Sequence, residues 1–220
     1  MSHVIDPKWE ISFPAEHFDR LRCNPQFVAT LVLGRMVNAL RFCQMAVVAI
    51  ADYPRTPAFD RQVLASFLFT CGLVVEALDT AKRLSKDLRH LPSFQNWLRP
   101  LFRDKTAERL RRGDLNRLRD KVVFHFDRNV FELGVATINF PAYIFASSVG
   151  RRKGDVYYNL SDEVAVNFIL DAQGDDRPEK VRLEELITAV RDLSLQFCDA
   201  ADSVIAESLT MLGWQGRQLT

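Results

Sequence analysis

Apolar residues along the chain recur mainly at helical spacing. From Asn24-Pro25 the run FVATLVLGRMVNALRFCQMAVVAIADY carries Val28, Leu31, Val32, Arg35, Val37, Leu40 and Ala46 to Ile50 on one wide, largely apolar face. That pattern predicts a helix that touches two or three neighbours, with Asn24 as its N-cap and Pro25 at its first position. Pro54 and Pro57 end it. A second long helix is expected over 59–90, apolar as far as Leu78, amphipathic beyond it, and closed by Pro92. Pro100 kinks the segment that follows, and Gly113-Asp114 reads as a C-cap followed by a new N-cap, opening a third core helix over 114–136. On that helix Leu118, Val122 and Phe126 fall on one stripe and are expected in the core, with Arg111 and Arg112 exposed just before it.

The pattern breaks over 137–180, where Pro141, the GRRKGD turn and the QGDDRPE run interrupt it. AYIFASS and DVYYNL fit a β-hairpin around 140–160, and Ser161 fits the cap of a short helix through DEVAVNFIL. The helical stripe then returns at Leu183, Leu186, Ile187, Val190, Leu193, Phe197, Ala201, Val204 and Ile205, giving a last core helix over 181–212 with a frayed tail after Trp214. With no internal repeat and no linker, the expectation is one all-α domain over 1–220, an up-down bundle of long amphipathic helices. Residues 1–24 would be an N-terminal extension and 137–180 a short irregular or β-hairpin insertion.

Composition narrows the possibilities. An apolar fraction of 48% and a charged fraction of 26% are those of a globular protein, and a net charge of +1 supplies no long-range attraction to nucleic acid or an anionic membrane. The four cysteines form no C-x-x-C pair and no Cys/His cluster, so the expectation is reduced core thiols, no metal and a cytoplasmic location. The start MSHVIDPKWEISFP lacks the basic and apolar regions of a signal peptide. Arg35, Asn38, Arg41 and Gln44 interrupt the most apolar stretch, 27–51, and argue against a membrane span. Signatures of nucleotide, dinucleotide, zinc and serine-hydrolase chemistry are absent from the sequence, and no cofactor is expected.

The local charge is uneven. Residues 99–128 hold ten Arg or Lys against five Asp or Glu, a pattern that serves either as a solvated helix face or as a surface for phosphate. Within it lies Arg119-Asp120-Lys121-Val122-Val123-Phe124-His125. On a helix, six positions set Arg119 and His125 roughly 120° apart in azimuth and roughly 9 Å apart along the axis. A long Arg side chain reaching back along the helix, or a second copy across a dimer seam, would bring both to one phosphate. His125 sits between Phe124 and Phe126, where an imidazole needs a partner or a cleft, and its ordinary pKa near 6.5 suits proton transfer at neutral pH.

Arg119 and Asp120, followed by four residues and His125, resemble the motif of the HEPN family, whose ribonuclease members carry an Arg, a polar residue and a His at this spacing. The resemblance extends to a compact bundle of long helices with the motif late in the chain. Arg83 and His90 repeat the loose spacing, but Leu84 stands where the polar residue belongs, so the copy at 119–125 is preferred.

The resemblance implies a metal-independent endoribonuclease, a toxin or defence protein, with Arg119 and His125 as catalytic residues. Asp120 and Glu76 would support them, and Arg112, Arg117, Lys121 and Arg128 would contact RNA. It also implies a homodimer with its cleft at the two-fold seam, and admits a protein partner such as an antitoxin. Glu76, inside the apolar FLFTCGLVVEALD, needs a partner or solvent; Arg119, Arg35 and Arg41 are the candidates. A noncatalytic helical module binding a protein or nucleotide partner is the other reading of the same chain.

Overall fold

A computed structural model describes residues 8–12, 17, 20–50, 57–112, 115, 129, 132, 147–148, 156–157, 164, 177–213 and 215–219. This part is mainly helical. Two long helices, α1 (Pro25–Ile50) and α2 (Pro57–Arg83), are followed by a short α3 (Ser85–Leu88). A π-helical turn over Phe94–Leu98 then runs into α4 (Arg99–Leu101), followed by α5 (Lys105–Arg112). The longest helix, α6 (Glu179–Met211), lies near the end of the sequence.

The start of α1 follows the sequence closely. Asn24 Oδ1 accepts a hydrogen bond from the Phe27 amide at 3.1 Å, and Pro25, with no N–H to satisfy, opens the helix. The second predicted helix, in contrast, is divided at Leu84, where α2 ends and α3 begins. Pro92 starts the next helical stretch instead of only closing the previous one. The π-turn has a local cause, because the ring of Pro100 would collide with a carbonyl one turn back in a regular helix. The wider turn, in which the Arg99 amide bonds back to Phe94 O, makes room for it.

Hydrogen bonds fix how the long helices run. Progressing along α1, Gln26 and Thr30 meet Ser208, Arg41 meets Asp202, and Gln44 meets Ser194, so α6 is antiparallel to α1. Near the other end of α1, Gln26 meets His90, beyond the end of α2, while Cys43 meets Thr70 inside it; α2 is therefore also antiparallel to α1. The three helices close a core that includes Leu33 and Leu40 of α1, Val74 and Leu78 of α2, and Phe197 and Val204 of α6. Phe94, Leu98, Leu110 and Leu115 join the same core, and the Phe94 ring lies 6.0 Å from that of Phe102.

Several expectations change here. Val37 and Leu40 are buried, but Val28 and Leu31 point outward, because α1 is apolar on more sides than its neighbours cover. Arg111 is only partly exposed, its guanidinium drawn 3.4 Å from Asp79 while Ala107 and Leu110 beside it are buried. The last helix starts at Glu179 and ends at Met211, with Gly213 at φ +79 taking the left-handed cap. The tail does not fray: β4 (Gln215–Leu219) pairs antiparallel with β1 (Lys8–Ser12), with Glu10 opposite Arg217 in the register. A two-residue ladder joins β2 (Ser147–Ser148) to β3 (Val156–Tyr157). Among the described residues, Val63–Arg83 is long and apolar enough to cross a membrane by length and composition; Cys71, Val74, Val75, Leu78 and Ala81 within it are buried.

Candidate functional site

Arg117, Arg119, Asp120, Lys121, His125 and Arg128 lie outside the described residues, as do the Gly113-Asp114 turn and Leu118, Val122 and Phe126. The site is therefore built from what surrounds this stretch in the sequence. Arg112 is the last residue of α5, and Leu115 is fully buried in the core.

Glu76 lies on α2, where residues 76, 80 and 83 fall on one face. Thr80 Oγ1 donates to Glu76 Oε1 at 3.0 Å, Arg83 Nη2 donates to the same oxygen at 2.9 Å, and Arg83 also donates to the Thr80 hydroxyl. The Glu76 side chain is 45% exposed, so the carboxylate is open to solvent as well as paired. Neither Arg35 nor Arg41 is needed for this, and Arg41 is taken up by Asp202. Sequence reading passed over Arg83 as a partner, although a separation of seven residues, two turns of helix, was the available signal.

One turn along α2 from Glu76, Asp79 forms the ion pair with Arg111 at 3.4 Å, with side-chain exposures of 30% and 24%. The pair fastens the basic stretch to α2 next to the Glu76 cluster. Arg119 follows Arg111 by eight positions in the sequence. Ala107 and Leu110 turn one side of α5 into the core, which leaves its charged residues on the other sides.

The side chains of the alternative Arg/His match have different partners. Arg83 is held on Glu76, whereas the His90 imidazole Nε2 meets Gln26 Oε1 at 3.1 Å. Gln26 belongs to a closed chain of polar contacts. Thr30 Oγ1 donates to Gln26 O at 2.8 Å, Gln26 Nε2 donates to Ser208 Oγ at 3.0 Å, and the Ser208 hydroxyl is left to donate to Thr30 Oγ1 at 2.6 Å. With its amide nitrogen committed to Ser208, Gln26 offers only its oxygen to His90, so that ring donates through Nε2–H. Nearby, Glu207 accepts from the Ser93 amide at 2.8 Å and from its hydroxyl.

Thiol chemistry finds no support in the buried cysteines. Burial pushes the Cys43 thiol up against a smaller opposing hydrogen bond from Thr70, and raises Cys71 well above the ordinary thiol range. Cys198 is pushed up to about 11, first by burial, with Arg41 opposing and Asp202 and Asp199 adding. Protonated at neutral pH, all three are poor nucleophiles. Cys23 is exposed, contrary to a core role. No cluster of three His, Cys, Asp or Glu able to hold a metal occurs among the described residues. A cavity of about 340 Å³ opens between α1, α2 and α6, lined by Cys43, Phe67, Thr70, Val190, Ser194 and Leu195 among others.

No family model, no curated protein and no solved structure matches this chain.

Proposed function

We propose that the chain is a metal-independent endoribonuclease of HEPN type, cytoplasmic and acting as a toxin or defence protein. The observation that carries this reading is the motif Arg119-Asp120-x4-His125 within a stretch that has five more basic than acidic residues. The mainly helical fold and the fastening of Arg111 to α2 beside Glu76 support it. In this reading residues 114–136 form the third long helix of an up-down bundle, 137–180 are its insertion, and two copies pair to complete the cleft. A protein partner such as an antitoxin would cover it.

The chemistry needs only the RNA and the side chains. The 2′-hydroxyl attacks the adjacent phosphorus, the P–O5′ bond breaks, and the products carry a 2′,3′-cyclic phosphate and a 5′-hydroxyl. His125 moves the proton from the attacking hydroxyl towards the leaving oxygen, and Arg119 stabilises the charge that builds on the phosphoryl oxygens. Asp120 and Glu76 hold these groups in place, while Arg112, Arg117, Lys121 and Arg128 contact the RNA backbone.

The test is cleavage of RNA by the purified chain and by two variants. His125→Ala and Arg119→Ala are expected to lose cleavage by at least about 100-fold and to keep the melting temperature close to that of wild type. Intact RNA with wild type, together with variants that melt far below it, would make the motif structural and favour a noncatalytic binding module.

A further inference from the structure

The outward side of α1 carries a second pattern. Val28, Leu31, Arg35, Asn38, Phe42 and Met45 follow one another at alternating steps of three and four residues, and all six are exposed. The apolar members are 47%, 55%, 75% and 67% exposed, while Ala29, Leu33, Val37 and Leu40 on the opposite side are buried. Steps of three and four keep a stripe on one side of a helix and are the spacing of a helix–helix seam. Isolated exposed apolar residues are ordinary, but a stripe of this length marks a contact surface.

The order of chemistry along the stripe identifies the occupant. Read from either end, it runs two apolar, two polar, two apolar, with its midpoint between Arg35 and Asn38. A second copy turned about a two-fold axis through that midpoint sets Val28 against Met45, Leu31 against Phe42, and Arg35 against Asn38. The Arg35 guanidinium then meets a side-chain amide oxygen that accepts from it. The two copies of Arg35 are offset by about 4.5 Å along the axis, whereas a parallel pairing would set them directly opposite each other. Beside the stripe, a Cβ built on Gly34 would meet nothing within 4 Å, so the flank leaves room for a neighbouring backbone.

We propose that α1 is the surface through which two copies of this chain pair, antiparallel, about a two-fold axis between Arg35 and Asn38. The inference names the contact surface for a dimer but stands on α1 alone, and its test involves no RNA.

The full chain, 25.2 kDa, should show twice that mass by light scattering at tens of micromolar. The double variant Leu31→Glu/Phe42→Glu opposes like charges across the seam and should halve the mass while leaving the far-ultraviolet circular dichroism unchanged. In a Cys23→Ser background, Leu31→Cys combined with Phe42→Cys should link two copies under oxidation. Neither single substitution should do so, and the two positions lie too far apart on one helix, at about 16 Å, to bridge within a chain. A monomeric wild type, a dimer that survives the double glutamate variant, or linkage by Leu31→Cys alone would each overturn the proposal; a monomer would leave this surface to a different partner.

Discussion

Ser208 holds two side chains of α1 at once, accepting from Gln26 and donating to Thr30 while fully buried. Its replacement by Ala leaves the Gln26 amide and a Thr30 lone pair without that partner at the α1–α6 contact. The expected cost is about 1–3 kcal/mol, read as a melting temperature lower by roughly 2–10 °C. A melting temperature unchanged from wild type would show that water replaces the hydroxyl without loss. Cys198 gives a prediction in pH. Its thiol is raised from the ordinary 9.0 to about 11 in the fold, so folding favours the protonated form. Its contribution is complete below pH 9 and is lost as pH rises through the folded value of about 11. Over that window wild type should lose melting temperature more steeply than Cys198→Ala, and parallel curves would contradict the assignment.

At the level of elements, Gly34 lies inside α1 with open space where a side chain would start. In the Leu31→Glu/Phe42→Glu background, where the proposed seam is open, Gly34→Ala should therefore stabilise the helix by up to about 1 kcal/mol, raising the melting temperature by roughly 2–4 °C in thermal denaturation. A lower value would mean that the flank is already filled. The long helices were legible because their signals are local: the Asn24 cap, Pro25, and the stripe from Leu186 to Val204 lie within a few turns of the residues they organise. The outward turn of Val28 and Leu31 was not legible, since a pattern counts apolar residues and says nothing of which side a neighbour covers. The β1–β4 ladder pairs segments from opposite ends of the sequence, and such pairing leaves no trace in either segment alone.

For the molecule as a whole, charge gives the same lesson. Glu76 was expected to need a partner because its surroundings in the sequence are apolar; its side chain is partly exposed and is met by Thr80 and Arg83 of its own helix. Arg111 was expected in solvent; its ion pair comes from Asp79, more than thirty residues earlier in the chain. Sequence spacing thus located polar residues that require partners, while the tertiary fold chose them. The motif at 119–125 is a sequence observation, and the proposed function rests on its chemistry. The most direct measurement is cleavage of an RNA oligonucleotide in EDTA, beside the same oligonucleotide with 2′-deoxy sugars, by wild type and by His125→Ala. The expected result is cleavage of the RNA alone, by wild type alone, undiminished by the chelator and leaving cyclic phosphate ends. Cleavage of the deoxy strand, or of RNA by His125→Ala at the wild-type rate, would contradict it.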